Sequence, residues 1–127
     1  MSQQPRILAV DDDPDILAWV RAIYGGPQTA TVDSLAKARD LIARVDFDVI
    51  LLDIHLGDGD GTELLRAIRT EPALARAQAT PVIMLTASRS AEHFEAVWEM
   101  GSTAYVTKPF SIDALRAAVE LAVTHHH

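Results

Sequence analysis

The hydrophobic positions of this chain form short apolar runs that alternate with segments of helical spacing. An apolar run that ends in polar residues is typical of a strand buried in a parallel sheet. Val49, Ile50, Leu51 and Leu52 are apolar at every position, so we expect their strand to lie in the centre of the sheet. The pattern predicts strands at residues 6–10, 28–32, 47–52, 81–85 and 104–107.

A segment with helical spacing follows each predicted strand, and local residues indicate several helix ends. Asp13 before Pro14 is a helix start, because an N-cap acceptor precedes a proline at the first helical position. Gly25 and Gly26 stop that helix, and Asp60 with Glu63 resembles a capping box. The predicted helices are 14–24, 34–44, 61–70, 91–100 and 112–123.

Strands that alternate with helices predict βαβ units, which have right-handed crossovers. Five such units predict an α/β fold, a flavodoxin-like, doubly wound (βα)5 sandwich. Its parallel five-stranded sheet is expected to have the strand order 2-1-3-4-5.

The chain has 127 residues, a length that suits one domain. We expect that domain to cover residues 1–124 and the three histidines at 125–127 to be the remnant of a purification tag. With no cysteine, thiolate metal sites and disulfides are excluded. The sequence has neither an apolar run of membrane-spanning length nor a signal peptide at its start, so we expect a cytoplasmic location.

The charge balance is acidic, with 11 basic and 18 acidic residues and a net charge of −7. Binding to nucleic acid requires clustered Lys and Arg to neutralise phosphates. We therefore expect this chain to make no direct contact with nucleic acid.

Charged residues follow three of the predicted strands. Asp11 and Asp12 follow the first, Asp53 follows the apolar run of the third, and Lys108 follows the fifth. The carboxyl ends of parallel strands form a common crevice, so we expect these side chains to converge. Carboxylates about 5 Å apart repel by roughly 3 kcal/mol per pair at an effective dielectric constant near 20. One lysine cannot offset three of them, so the pattern suggests a divalent cation and a phosphoryl group.

Four motifs in this order resemble the receiver domain of two-component response regulators, such as the chemotaxis response regulator. They are the run from Ile7 to Pro14 with its three aspartates, the segment from Leu52 to Gly61, the run from Val82 to Ala87 and the segment from Tyr105 to Phe110. The resemblance covers essentially the whole chain.

The resemblance implies the roles of the site residues. Asp53 is the expected phosphoacceptor, since a carboxylate can act as a nucleophile. Asp12, Asp53 and the backbone carbonyl of His55 are the expected Mg²⁺ ligands, and Asp11 acts through water. Lys108 is expected to pair with a phosphoryl oxygen. The peptide bond between Lys108 and Pro109 is expected to be cis. The conformational switch is assigned to Thr86 and Tyr105.

The resemblance also implies partners. The expected phosphodonor is a histidine kinase or a histidine phosphotransfer protein, and the output partner is unknown. Phosphorylation and self-dephosphorylation would be the only chemistry, so we expect no separate enzymatic activity. Residues 102–104 lack the acidic pair of family members that dimerise on that face. We expect a monomer or a weak, phosphorylation-dependent dimer with no membrane contact.

Two other functions compete with this interpretation. Residues 58–62 match the nucleophile motif of haloacid-dehalogenase-type phosphatases, which would make Asp58 the nucleophile, but that motif should directly follow a buried strand. A flavin-binding relative of flavodoxin has the right fold, yet three aspartates stand where FMN phosphate would bind.

The chain departs from the receiver domain family at Gly57, where proline is usual, and we expect a more mobile loop there.

Overall fold

The computed structural model describes residues 5–87 and 104–124, and its centre is a parallel sheet of five strands. The strand order is 2-1-3-4-5 and every pairing within this sheet is parallel, so the predicted topology is confirmed. All residues of β3 are buried, and β3 lies in the centre of the sheet as predicted. The strands are β1 (Ile7–Val10), β2 (Thr29–Val32), β3 (Val49–Asp53), β4 (Val82–Thr86) and β5 (Ala104–Thr107).

Four α-helices lie within the described residues, close to their predicted bounds. They are α1 (Pro14–Tyr24), α2 (Leu35–Arg44), α3 (Gly61–Thr70) and the C-terminal helix α4 (Ile112–Thr124). The helix predicted at 91–100 lies outside the described part of the chain.

The two faces of the sheet support separate hydrophobic cores, because successive side chains of a strand point to opposite faces. One core joins strand residues such as Leu8, Ile50 and Met84 to helices α2 and α3. The other joins Ile7, Leu51 and their neighbours to α1 and α4. Helices therefore cover both faces, as a doubly wound fold requires.

Each of the first three helices begins at a side-chain cap. Asp13 accepts a hydrogen bond from the backbone of Asp15 at 2.9 Å, and Ser34 accepts one from Lys37 at 3.2 Å. At α3, Asp60 accepts from the backbone of Thr62 at 2.8 Å. The donor, Thr62, directly precedes Glu63, the residue that the capping-box pattern paired with Asp60.

Two short elements were missing from the sequence prediction. One is an antiparallel ladder of His55–Leu56 with Gly59–Asp60, and the other is a 3₁₀-helix at Pro72–Ala77. Both are too short to leave a hydrophobic period in the sequence. The ladder directly follows β3, so it shapes the loop beside Asp53.

Arg69 fastens the segment between α3 and β4. Its guanidinium donates to the backbone carbonyls of Gln78 at 3.0 Å and Thr80 at 2.8 Å, and burial lowers its pKa. Arg69→Met keeps the apolar stem but removes both donors. We expect the free energy of unfolding to fall by about 2 kcal/mol, because hydrogen bonds to charged groups contribute this much. Urea denaturation measures the change.

Arg66→Met is the matched control, because Arg66 is an exposed arginine on the same helix. It should change stability by less than about 0.5 kcal/mol, as is usual for surface substitutions. Equal losses in the two variants would contradict the role given to Arg69.

Candidate functional site

The predicted site residues lie at the carboxyl edge of the sheet. Asp11 and Asp12 follow β1, Asp53 is the last residue of β3, and Thr86 is the last residue of β4. Asp53 pairs in register with Leu85, the residue before Thr86. Lys108 follows β5, and its backbone N–H donates to the carbonyl of Thr86 at 2.7 Å. The strand ends therefore bring these residues to one place, as the sequence predicted.

Three carboxylates form a tight cluster at this edge. One oxygen from each of Asp11, Asp12 and Asp53 lies within 4.8 Å of the others. Asp11 and Asp53 are buried, whereas Asp12 is exposed to solvent. Hard oxygen donors with solvent access suit Mg²⁺, which prefers carboxylates and retains several waters. The donor set thus fits the cation that the resemblance implies.

Lys108 reaches into the cluster and contacts both buried carboxylates. Its Nζ lies 2.6 Å from Oδ2 of Asp11 and 3.5 Å from Oδ1 of Asp53. The Lys108-Pro109 peptide bond is cis, as the resemblance implies. The site therefore combines one ammonium with three carboxylates.

The pKa of Asp53 reflects first its burial and then the excess of negative charge in the cluster. Burial and then the negative charge of Asp11 raise that pKa from 3.8 to about 6, although Lys108 acts in the opposite direction. Burial lowers the pKa of Lys108, but the hydrogen bond and the attraction from Asp11 outweigh it, so the pKa is raised. Lys108 thus stays protonated, and the pocket favours additional positive charge.

The raised pKa of Asp53 predicts a pH-dependent stability for the metal-free protein. Between pH 3.8 and about 6 the folded state binds a proton at Asp53 that the unfolded chain has released. Stability should therefore fall as pH rises through this window, by at most about 3 kcal/mol. Asp53→Asn removes the effect, so above pH 6 the variant should be the more stable protein. Thermal denaturation from pH 4 to 8 measures both curves.

Added Mg²⁺ provides the control for this experiment. It should stabilise the wild-type protein above pH 6, because the cation offsets the repulsion between carboxylates. Curves of wild type and Asp53→Asn that stay parallel from pH 4 to 8 would contradict the electrostatic explanation.

Gly61 supports the backbone of the site, a role that the sequence prediction missed. Its N–H donates to the carbonyl of Ile54 at 2.6 Å. A Cβ atom at this position would lie only 2.0 Å from the carbonyl oxygen of Asp53, so the close approach requires glycine. The adjacent Asp60-Gly61 pair at the start of α3 was the available signal.

The other predicted site residues surround this edge. Thr86 is fully buried, Tyr105 of β5 is half-buried and pairs with Met84, and the side chain of His55 is exposed. Their functional roles remain predictions. Trp19 stacks on Phe110 with the ring centroids 5.3 Å apart.

Asp58, the nucleophile of the competing phosphatase hypothesis, faces a different element. Its exposed carboxylate accepts hydrogen bonds from the backbone of Leu35 at 2.9 Å and of Ala36 at 3.1 Å. It lies in the turn of the short ladder, whereas a phosphatase nucleophile should directly follow a buried strand. The geometry of Asp58 gives that alternative no support.

The chain matches a known protein family over most of its length. The model of the response regulator receiver domain matches residues 7–120. The chain is 34% identical over 125 residues to response regulator protein PilR of Pseudomonas aeruginosa, which covers 97% of this chain and 27% of PilR. It is also 34% identical to the DNA-binding transcriptional regulator NtrC of Escherichia coli, over 98% of this chain and 26% of NtrC.

Solved structures show the same fold. The beryllofluoride-activated NtrC4 receiver domain dimer superposes with a TM-score of 0.85 at 27% identity, covering 96% of this chain and 98% of that chain. The receiver domain of sensor histidine kinase PA1611 from Pseudomonas aeruginosa has a magnesium ion coordinated in its active site cleft. It superposes with a TM-score of 0.80 at 27% identity, covering 96% of this chain and 99% of that chain.

Fold and site together define a two-component signalling module. The chain belongs to the response regulator receiver domain family. It spans between 12% and 48% of the length of the curated relatives that it matches. No relative among these matches supports the phosphatase alternative. Among the described helices, none has both the length and the apolar character needed to cross a bilayer.

Proposed function

We propose that Asp53 is the phosphoacceptor of this receiver domain. The observation that carries the proposal is the contact of Lys108 with both Asp11 and Asp53, inside a cluster of three carboxylates. Asp53 is positioned at the end of the central strand, and Lys108 lies where it can bind an oxygen of a phosphoryl group attached there. The same arrangement gives a carboxylate nucleophile and a fixed positive charge.

The proposed cofactor is Mg²⁺. Asp12, Asp53 and the backbone carbonyl of His55 would hold the cation directly, and Asp11 would act through water. When bound, the cation supplies positive charge that screens the carboxylates and the phosphoryl oxygens. The proximity of the three carboxylates supports this assignment.

In the proposed reaction, an oxygen of Asp53 attacks the phosphorus atom of a phosphohistidine on the partner. The oxygen–phosphorus bond forms as the phosphorus–nitrogen bond breaks, and the imidazole leaves. Lys108 binds a phosphoryl oxygen, so the chain contributes mainly position and charge. Hydrolysis later returns Asp53 to a carboxylate and releases inorganic phosphate.

We assign the conformational response to Thr86 and Tyr105. The Thr86 hydroxyl would donate a hydrogen bond to the new phosphoryl group, and the Tyr105 ring would move into the space that opens. Thr86 ends β4, which pairs with β3, and Tyr105 lies on β5, which pairs with β4, so their positions support the assignment. A local charge change would thereby bias a two-state element.

We also propose the partners and the domain organisation of this chain. The donor is a histidine kinase or a histidine phosphotransfer protein in the cytoplasm, and residues 1–124 act as one signalling domain without separate enzymatic turnover. The net charge of −7 supports the absence of direct nucleic-acid binding. The activated NtrC4 receiver domain is a dimer, which supports weak, phosphorylation-dependent self-association here.

Incubation with Mg²⁺ and acetyl phosphate tests the proposal directly. Intact mass spectrometry should detect one added phosphoryl group that is lost at alkaline pH, as an acyl phosphate is. Sustained hydrolysis of unrelated phosphomonoesters that survives Asp53→Asn would favour the phosphatase instead. The absence of any phosphoryl addition would contradict the proposal.

A further inference from the structure

A residue from the loop after Asp53 accepts hydrogen bonds from backbone N–H groups in the first turn of α2. The first backbone N–H groups of a helix have no partner within the helix. Ser34 accepts from Lys37 at 3.2 Å, and the two preceding N–H groups, those of Leu35 and Ala36, donate to the carboxylate of Asp58. These two bonds hold the pKa of Asp58 below its ordinary value. Asp58 thus completes the cap of a helix that is distant from it in sequence.

The turn that carries Asp58 also packs against α2. Gly59 has a φ of +150°, which favours glycine, and a Cβ atom there would lie 2.9 Å from Cδ1 of Leu35. The ladder pairs Leu56 with Gly59 and His55 with Asp60. The backbone of His55 is therefore joined to α2 through one turn and the two hydrogen bonds that Asp58 accepts.

We propose that Asp58 is a positioning residue, which fixes the backbone carbonyl of His55 for the cation by fastening the loop after β3 to the N-terminus of α2. The inference rests on the proposed function, because His55 matters only if its carbonyl is a ligand. Asp58 itself lies in the turn of the ladder and directs its carboxylate to α2. It acts through the ladder, in the way that a residue that contacts a metal ligand, but not the metal, orients that ligand.

The two hydrogen bonds that Asp58 accepts couple cation binding to the stability of the N-terminus of α2, and the coupling acts in both directions. If Asp58 lowers the cost of placing the His55 carbonyl, a bound cation must stabilise the contacts of Asp58 by the same free energy. Mg²⁺ should therefore slow hydrogen exchange at the amides of Leu35 and Ala36. A residue that merely capped α2 would not transmit this effect.

The test compares three variants with the wild-type chain. Asp58→Ala removes both acceptors, whereas Asp58→Asn keeps the shape and one acceptor. Ser34→Ala is the matched control, because it removes a cap from the same helix without changing the turn. Titration calorimetry gives the Mg²⁺ affinity of each protein, and exchange mass spectrometry or NMR gives the protection of the amides.

We expect Asp58→Ala to weaken Mg²⁺ binding roughly 10-fold, at the lower end of the effect of a residue that only supports a metal ligand. Asp58→Asn should have a smaller effect, and Ser34→Ala should bind as the wild type does, although it is less stable. The Mg²⁺-dependent protection of Leu35 and Ala36 should disappear in Asp58→Ala. If that variant does not fold, the intermediate affinity of Asp58→Asn provides the same test.

Equal Mg²⁺ affinities for the wild type and both Asp58 variants would overturn this inference and leave the proposed function intact. Loss of affinity in Ser34→Ala equal to that in Asp58→Ala would overturn it as well, because any loss of the α2 cap would then suffice. A wild-type chain that binds no Mg²⁺ would overturn both the inference and the proposed cofactor.

Discussion

Asp53→Asn should abolish the uptake of a phosphoryl group from acetyl phosphate in the presence of Mg²⁺. The amide has nearly the shape of the carboxylate, so the buried end of β3 should keep its packing. An amide is a poor nucleophile and cannot form the acyl phosphate. Intact mass spectrometry, taken over a time course, measures the loss.

Asp13→Asn is the matched control for this variant. Asp13 is the third of the consecutive aspartates, but its side chain caps α1 through the backbone N–H of Asp15. Asparagine is an equally good N-cap residue, so the helix should be preserved. Uptake of the phosphoryl group should continue in Asp13→Asn. Undiminished uptake in Asp53→Asn would mean that another residue is the acceptor.

Asp12→Ala should weaken Mg²⁺ binding by more than roughly 10- to 100-fold. That range is the usual loss of affinity when the substituted residue only supports a metal ligand. Asp12 is the exposed member of the carboxylate cluster and a proposed direct ligand. Its removal also lowers the negative charge that attracts the cation. Titration calorimetry at fixed ionic strength measures the affinity.

Asp15→Ala separates these two contributions. Asp15 is an exposed acidic residue in the first turn of α1, so its removal changes the net charge of the chain by the same amount. Screening at physiological salt limits the effect of such a charge to a small change in affinity. Equal losses in the two variants would contradict direct ligation by Asp12.

The sheet and the location of the site were predictable because both depend on hydrophobic pattern. The apolar run at Val49 to Leu52 required a strand that is buried on both faces, and the structure has it in the centre of the sheet. Once parallel strands were predicted, their carboxyl ends had to bring Asp11, Asp53 and Lys108 to one edge. In the structure, carboxylate oxygens of Asp11 and Asp53 lie within 4.8 Å of each other, and Lys108 Nζ lies 2.6 Å from Asp11.

The support of the site was not predictable in the same way. The contact of Gly61 with the carbonyl of Asp53 and the bonds from Asp58 to α2 depend on the path of the backbone in three dimensions. The short ladder has too few residues to produce a hydrophobic period. From the pattern alone, Asp58 and Asp60 were a loop and a helix cap, and the helix receiving the bonds of Asp58 was not apparent.

Arg69 illustrates the same limit within the fold. An arginine near the end of a helix is usually exposed, and nothing in the hydrophobic pattern indicated a structural role for it. Its two acceptors are the backbone carbonyls of Gln78, the C-cap residue of the 3₁₀-helix, and of Thr80, two positions before β4. The hydrophobic pattern showed this segment only as a connection between α3 and β4. Thr80 is buried, so its carbonyl needs a donor within the protein, and Arg69 provides one.

A crystal structure of the chain with Mg²⁺ and beryllofluoride is the sharpest test of Asp53 as the phosphoacceptor. We predict a beryllofluoride group on an oxygen of Asp53, within hydrogen-bond distance of Lys108 Nζ. The same structure should contain Mg²⁺ held by Asp12, Asp53 and the carbonyl of His55. An unmodified Asp53 at saturating beryllofluoride, or a group bound at Asp58 instead, would contradict the assignment.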